Sequence, residues 1–227
     1  MALILHIETA TPICSVALSR GNDCIALKEL NEFNSHSEVL TVFIEEILDA
    51  NNLKVKDLDA IALSNGPGSY TGLRIGASVA KGLAYAAEKP IITIDTIEAL
   101  AHGLIQNSTK YKFKDPVLYC PMIDARRMEV YTAFYNKDFK TIKTLSPFII
   151  DENNLDSYLA QYSIILGGTG AQKCYDLYKH KGNIYLNEQI KCSAKYLIPL
   201  ALHKYEAKDF ANLAYFEPNY LKDFVGK

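Results

Sequence analysis

The chain contains the same short pattern twice, and this repetition limits the folds it can adopt more than any other feature of the sequence. Residues 3–7 (LILHI) form an apolar run that predicts a strand, followed by Glu8, a turn and a second predicted strand. Residues 117–123 form another apolar run, followed by Asp124, a turn and a strand. The two acidic residues lie 116 positions apart. We interpret this as an internal duplication that predicts two domains, each opening with a strand, an acidic residue, a turn and a strand.

Charge and tyrosine content change abruptly near residue 104. Residues 1–104 contain 7 Lys and Arg against 13 Asp and Glu, a net charge of −6, whereas residues 105–227 contain 17 against 13, a net charge of +4. Thirteen of the fifteen tyrosines lie in the second part. We therefore predict an N-terminal lobe over 1–104 and a C-terminal lobe over 105–227, with the final segment from about residue 208 free to pack back on the N-terminal lobe.

The composition excludes several classes of protein. With 49% hydrophobic and 22% charged residues, the 227-residue chain has the proportions of a globular protein. Its net charge of −2 excludes a nucleic-acid binder that relies on overall positive charge. No apolar run approaches the roughly 18 residues of a membrane span, and we expect a cytoplasmic protein without a signal peptide or membrane contact. The five cysteines are scattered, which favours buried thiols over a disulfide framework or a zinc site.

Strands and helices alternate in the first part after an opening meander of strands. Ser35 and Glu38 form a capping box that predicts the start of helix one. Apolar runs at residues 60–64 and 91–94 predict two strands, with helix two between them and a third helix capped by Thr96. This order predicts a sheet that is partly parallel.

A glycine-rich loop connects the strand at residues 60–64 to helix two. Its sequence is Gly66-Pro-Gly-Ser-Tyr-Thr-Gly72, in which glycines allow backbone N–H groups to approach an anion at a helix N-terminus. The loop is not a Walker loop, since no Gly-Lys-Ser/Thr closes it, and it departs from the dinucleotide fingerprint by one residue. We therefore favour a tight turn with close helix packing over a phosphate site.

Helix two carries a stripe of small residues. Gly72, Gly76, Ala80 and Ala84 follow one another at four-residue spacing, without side-chain bulk. Each interior glycine costs roughly 1 kcal/mol relative to alanine, so another backbone is expected to approach this stripe closely. That neighbour is either the protein's own sheet or helix one, or a helix of a partner chain.

Helix one is apolar over more than half of its circumference, which exceeds the stripe of about 100° that packing on a sheet requires. We therefore predict that the two helices offer one face to two equivalent helices, which makes a four-helix bundle across an interface. The predicted interface residues are Leu40, Phe43, Ile44 and Ile47 of helix one and Gly72, Arg74, Ile75, Gly76, Val79, Ala80 and Leu83 of helix two.

Glu8 and Asp124 end their strands and face turns, so in a two-lobed fold they could flank a cleft that holds nucleotide phosphates and Mg²⁺. The alternative is that they only satisfy N–H groups of their turns. Arg126-Arg127 stands where a phosphate-binding turn favours glycine and hydroxyl groups, which argues for a vestigial cleft made of Glu8, Thr9, Thr11, Asp124 and Arg126. No histidine, cysteine or serine pattern marks a metal or catalytic site, so we predict no metal, cofactor or catalytic residue.

Four stretches carry a family resemblance: residues 5–18 (LHIETATPICSVAL), 65–76 (NGPGSYTGLRIG), 124–131 (DARRMEVY) and 217–221 (EPNYL). With them the chain resembles the TsaB (YeaZ) family, partner proteins in bacterial tRNA threonylcarbamoyladenosine synthesis. The resemblance implies an α/β, two-lobed fold like that of actin, sugar kinases and heat-shock ATPases, with duplicated mixed sheets and a reduced second lobe. It also implies pairing with the larger paralogue TsaD, with the ATPase TsaE joining, a homodimer when alone, and tRNA contact only within the complex.

The resemblance further implies a subunit without chemistry of its own. TsaD-like chains bind a metal through His-x-x-x-His on the helix that corresponds to residues 96–100 here, a stretch without histidine. The expected function is a non-catalytic scaffold and activator of TsaD, which transfers threonylcarbamoyl from an adenylate to the adenosine next to the anticodon. The alternative is an ATP-dependent phosphotransferase or ATPase of the same fold. A peptidase, suggested by family labels, has no support in the residues.

Overall fold

The computed structural model describes residues 1–32, 36–108, 113–114 and 116–222. Contacts divide the chain into two compact units. The first consists of Met1–Ala99 together with the chain from Cys192 onward, and the second consists of Leu100–Lys191. None of the helices in the described ranges is both long and apolar enough to cross a membrane.

The first unit is built on a mixed sheet of five strands. These are β1 (Leu3–Glu8), β2 (Ile13–Arg20), β3 (Asp23–Asn31), β4 (Ala60–Ser64) and β5 (Ile91–Ile94). Their order in the sheet is β3-β2-β1-β4-β5, with an antiparallel meander of β1 to β3 and a parallel continuation through β4 and β5. β1 and β4 are buried along their whole length, as expected for central strands with both faces covered.

Two long helices, α1 (His36–Ala50) and α2 (Tyr70–Ala87), share one apolar core with the strands of this sheet. The proposed capping residue Ser35 lies outside the described residues. The next helix, α3 (Thr96–Ser108), is capped by Asp95 and not by Thr96 as predicted, because Asp95 Oδ1 accepts the N–H groups of Ile97 and Glu98 at 2.9 and 3.4 Å. The Thr96 hydroxyl instead accepts the Gly66 N–H at 3.0 Å and so joins the glycine loop to α3.

The chain from Cys192 packs on the first sheet. A 3-10 turn (Ala194–Leu197) leads into α6 (Ile198–Glu206). The Ala194 N–H donates to Ser15 Oγ at 2.8 Å, and Ala194 and Ile198 form a small apolar cluster with Ala17. The return to the first unit thus begins at about residue 192, earlier than the residue 208 considered from the sequence, because this stretch covers the face of the sheet opposite α1 and α2.

The second unit repeats the plan of the first. Its strands are β6 (Val117–Asp124), β7 (Glu129–Tyr135), β8 (Thr141–Ile149), β9 (Ser163–Gly167) and β10 (Ile184–Asn187), in the order β10-β9-β6-β7-β8. Three strands form an antiparallel meander and two continue in parallel beyond β6, as beyond β1 in the first unit. The two α-helices that begin within this unit are short, α4 (Asp156–Leu159) and α5 (Ala171–Tyr178), of four and eight residues. The predicted fold of duplicated mixed sheets is confirmed.

Candidate functional site

The glycines of the loop and of α2 are explained by a turn of the same unit. A Cβ on Gly72 would lie 2.1 Å from the carbonyl oxygen of Thr9, and one on Gly68 would lie 2.3 Å from that of Ala10. The Ser69 N–H donates to the Ala10 carbonyl at 2.7 Å. The start of α2 therefore rests directly on the turn between β1 and β2, at a distance that excludes any side chain.

The C-terminal segment covers the same loop from another side. Gly66 has a φ of 110°, and a Cβ there would lie 2.5 Å from the Asn219 carbonyl oxygen. The Asn219 N–H donates to the Asn65 carbonyl at 2.7 Å. Both ends of the loop are thus in contact with the chain's own backbone, which supports the packing interpretation of the glycines over a phosphate site.

The stripe of small residues on α2 is an internal contact. A Cβ on Gly76 would lie 2.3 Å from Thr9 Oγ1, and Ala80 and Ala84 are fully buried in the first core. The prediction that this stripe faces a partner helix is therefore corrected, because the chain's own turn and sheet occupy it. Six of the predicted interface residues are buried within the unit: Leu40, Ile44, Ile47, Gly72, Gly76 and Ala80.

A second set of small residues lies on the opposite, exposed side of α2. Gly82 is exposed, and a Cβ there would meet no atom within 4 Å. Ser78, one turn earlier, is exposed as well, and the apolar side chains beside this ridge are half-buried. We call this surface the α2 face, made of Ile75, Ser78, Val79, Gly82 and Leu83. Gly82 is not among the residues predicted from the sequence, although Ser78-x-x-x-Gly82-x-x-x-Ala86 repeats the spacing of the first stripe.

An apolar groove of about 340 Å³ lies beside the α2 face. It is lined by Thr41, Ile44, Glu45, Leu48 and Asp49 of α1, Leu53, Lys54 and Val55 of the following segment, and Val79 and Leu83 of α2. Two large side chains on these helices are exposed, Val42 at 44% and Tyr85 at 78%. The groove and the ridge together form a surface with apolar area that the described residues of the unit do not cover.

The two helices that form this surface carry opposite charges. α1 contains Glu38, Glu45, Glu46 and Asp49 and neither Lys nor Arg, and Glu46 pairs with Lys28 of β3. α2 contains Arg74 and Lys81 and no acidic residue. The Arg74 guanidinium lies 4.1 Å from the ring centroid of Tyr70 and donates to the Tyr220 hydroxyl at 3.3 Å, so its charge stays at the surface.

Glu8 is buried in the turn that receives α2. Its Oε1 accepts the Ala10 N–H at 2.7 Å. Burial raises the pKa of this carboxyl from its usual 4.5 to about 7, against the opposing effect of the Ala10 hydrogen bond. A carboxyl group that is buried and partly protonated at neutral pH is a poor ligand for Mg²⁺. The neighbouring Thr11 carbonyl is held by His36, whose Nε2 lies 2.9 Å from it.

We expect Glu8→Gln to make the first unit more stable at high pH. Between pH 4.5 and 7 the folded protein binds the proton that the unfolded chain releases, so the wild type loses stability as the pH rises through this range. The neutral amide escapes this loss, which amounts to roughly 3 kcal/mol above pH 7 for a shift of this size. Urea unfolding of both proteins at pH 4 and pH 8 measures the difference. A gain from the substitution that is equal at the two pH values would contradict the burial of an ionisable Glu8.

Asp124, the equivalent acid of the second unit, has a cationic partner within that unit. Lys173 of α5 places its Nζ 2.8 Å from Asp124 Oδ1, 2.7 Å from the Arg127 carbonyl and 2.6 Å from the Glu129 carbonyl. The ammonium group thus has three acceptors for its three N–H bonds. Asp124 Oδ1 also accepts the Arg126 N–H at 2.7 Å, so this carboxylate stabilises its own turn.

The residues assigned to a vestigial cleft fall into the two units, Glu8, Thr9 and Thr11 in the first and Asp124 and Arg126 in the second. Glu8, Thr9 and Thr11 are buried, whereas Asp124 and Arg126 are exposed. Among the described residues, no group of three His, Cys, Asp or Glu side chains is placed to hold a metal ion. Four of the cysteines are buried as predicted, but Cys24 is exposed.

The fold and a family model define the class of protein. The family "TsaD: tRNA N6-adenosine threonylcarbamoyltransferase" matches residues 32–223. A solved structure, "YeaZ from Pseudomonas aeruginosa", has the same fold, with a TM-score of 0.78 and 22% identity over 97% of this chain and 100% of that one. The class is that of the TsaD-like proteins, two-lobed α/β proteins named for threonylcarbamoylation of tRNA.

Curated relatives give the family within this class. The tRNA threonylcarbamoyladenosine biosynthesis protein TsaB of Escherichia coli K12 is 31% identical, over 98% of this chain and 95% of the relative. The protein of the same name from Haemophilus influenzae is 28% identical, over 98% and 94%. The chain belongs to the TsaB family, and the resemblance seen in its four sequence stretches is confirmed.

Proposed function

We propose that this chain is a non-catalytic subunit that binds and activates a TsaD-type threonylcarbamoyl transferase. The observation that carries the proposal is the α2 face, where an exposed glycine and a half-buried apolar row border a groove. A glycine in the middle of an exposed helix costs roughly 1 kcal/mol, and at Gly82 no described residue of the first unit makes a contact that offsets this cost. Close approach of a helix from another chain explains why a glycine occupies position 82.

The geometry of the surface supports pairing through helices. A partner helix that lies along Ser78 and Gly82 can come close enough to bury Ile75, Val79 and Leu83. A side chain from the partner would fill the groove beside α1. Of the interface residues predicted from sequence, Phe43, Arg74, Ile75, Val79 and Leu83 remain accessible for this contact, and we retain them in the proposal.

The charges favour self-association when no other partner is present. In a two-fold dimer the same patch occurs on both subunits, so acidic α1 of one copy can face basic α2 of the other. Glu45 or Asp49 would then meet Arg74 or Lys81. We propose a homodimer in isolation that exchanges for a heterodimer with the transferase. The involvement of a TsaE-type ATPase and of tRNA within the complex rests on the family alone.

This exchange can be tested by hydrodynamics. We expect the isolated chain to sediment as a dimer at micromolar concentration and to form a one-to-one complex when the transferase is added. Analytical ultracentrifugation with labelled chain measures both species. A chain that remains monomeric and does not bind the transferase would contradict the proposal.

Two features support a subunit without nucleotide chemistry. Glu8 is buried with a raised pKa, and Asp124 is paired with Lys173 and with its own turn. Neither carboxylate is free to hold Mg²⁺ without breaking these arrangements. The family name supports a role in threonylcarbamoyladenosine synthesis. The state of Glu8 and Asp124 supports a non-catalytic role in that synthesis.

We therefore expect no ATP binding tighter than about 1 mM by the isolated chain, equivalent to a binding free energy weaker than about −4 kcal/mol. Isothermal titration calorimetry with and without Mg²⁺ provides the measurement, and a TsaE-type ATPase titrated in the same buffer serves as the positive control. A micromolar, Mg²⁺-dependent site would favour the alternative, an ATP-dependent phosphotransferase or ATPase.

A further inference from the structure

Two adjacent arginines form the tip of the hairpin between β6 and β7. Arg126 and Arg127 have φ angles of 67° and 45°, both in the left-handed region. This conformation costs roughly 1–2 kcal/mol for a residue with a side chain and almost nothing for glycine. Hairpin tips of this kind favour Asn and Gly. The left-handed backbone conformation of the tip is thus unfavourable for Arg126 and Arg127.

Lys173 of α5 stabilises the backbone conformation of this hairpin tip. Its ammonium group binds the carbonyls of Arg127 and Glu129, and its charge is paired with Asp124. The Arg126 N–H also donates to Asp124. Because Asp124 already has the Lys173 ammonium as its counter-ion, it does not need either guanidinium. Lys173 is a positioning residue that holds two arginines in place.

Both arginine side chains point to open surface. They are exposed, and within the described part of the chain neither guanidinium has a hydrogen-bond or ion-pair partner. Two exposed apolar side chains flank them, Met128 at 45% exposure and Ile149 at 62%. The Ile150 N–H donates to the Met128 carbonyl, and this hydrogen bond keeps the two segments adjacent. The unit as a whole has 12 Lys and Arg against 9 Asp and Glu, a net charge of +3.

We propose that Arg126 and Arg127 contact the phosphodiester backbone of RNA, which in this protein is the tRNA of the proposed function. The planar guanidinium fork matches phosphate oxygens in pairs. A strained backbone that keeps two free cations at an exposed tip is the arrangement expected at a binding site. The apolar edge of Met128 and Ile149 suits the sugar and base surface next to a phosphate. The inference rests on the proposed function, since that function supplies the RNA.

The salt dependence of tRNA binding tests the proposal. Each phosphate contact contributes close to one unit to the slope of log K against log salt concentration. We expect the double variant R126Q/R127Q, in complex with the transferase, to bind a tRNA transcript about ten-fold more weakly, with a slope smaller by about two. The matched control is K137Q/K140Q, which removes the same charge from the turn at the other end of β7 and should leave the slope close to that of the wild type.

Two further variants separate binding from folding. R126K/R127K keeps the charge and should retain the slope. R126G/R127G relieves the left-handed strain, so it should raise the thermal midpoint of the second unit while it weakens tRNA binding. Substitutions that merely disturb a structural turn would lower stability and affinity together.

Three outcomes would overturn the proposal. The slope could be unchanged in R126Q/R127Q, or the control K137Q/K140Q could lose as much affinity. The double variant could also lose its pairing with the transferase while it keeps tRNA affinity, which would make the tip a protein contact. Pairing is measured in the same samples by ultracentrifugation. Normal pairing with unchanged tRNA binding refutes only this inference, whereas absent pairing in the wild type refutes the proposed function.

Discussion

Gly72→Ala is expected to lower the free energy of unfolding of the first unit by about 3 kcal/mol, the upper range for overpacking a closed contact. The same substitution ten residues later, Gly82→Ala, is expected to raise it by up to about 1 kcal/mol through helix propensity. The new methyl group at residue 72 would lie 2.1 Å from the Thr9 carbonyl oxygen, a backbone atom that cannot rotate away. At residue 82 it would meet no atom within 4 Å.

Urea unfolding followed by circular dichroism measures both changes in the same helix with the same substitution. To exclude an effect of dimerisation, the titrations are repeated over a range of protein concentrations. Equal effects of one sign at residues 72 and 82 would contradict the account of α2, in which one side is docked on the β1–β2 turn and the other is open.

Gly82→Leu is expected to weaken pairing with the transferase 5- to 150-fold, as expected for the 1–3 kcal/mol of an overpacked contact. The folded monomer should keep its stability, because the leucine side chain projects into open space. Gly76→Leu and Ala80→Leu, the substitutions that the sequence alone would suggest, should instead unfold the unit, since both positions are buried in its core.

Affinity measured by surface plasmon resonance, with the transferase immobilised, distinguishes these cases. Ser157→Leu is the control, because it places the same leucine side chain at an exposed position of α4 in the second unit. Wild-type affinity of Gly82→Leu, or an equal loss in Ser157→Leu, would show that the α2 face is not the pairing surface.

The sequence predicts the fold well because its strongest signals are local. Glu8 and Asp124 end equivalent strands, β1 and β6, and the two sheets have the same strand order. Short apolar runs followed by an acidic residue therefore predict the duplication correctly. The stripe of small residues on α2 is also visible in the sequence. Its contact with Thr9 cannot be predicted, because Thr9 lies more than 60 residues upstream and reaches Gly72 and Gly76 only through the packing of α2 on the sheet.

Long-range contacts also explain why some residues of the site could not be predicted from the sequence. Lys173 is 49 residues from Asp124, and nothing in its helix distinguishes it from a solvated lysine until β6, β7 and α5 are assembled. The same holds for Asn219, whose carbonyl requires the glycine at residue 66. Gly82 is a different case. Its spacing from Ser78 and Ala86 is visible in the sequence. The sequence does not show which side of α2 is exposed, because that depends on which of its two small-residue stripes packs against the β1–β2 turn.

We propose that this chain activates a TsaD-type transferase by pairing through the α2 face. Reconstituted threonylcarbamoyl transfer to a tRNA transcript, with purified transferase, TsaE-type ATPase and threonylcarbamoyl-adenylate, tests this activation. We predict strong modification with the wild-type chain and with Ser157→Leu, and a return with Gly82→Leu to the low level seen without the chain. Full modification in the absence of the chain, or with Gly82→Leu at concentrations where it does not pair, would contradict the claim.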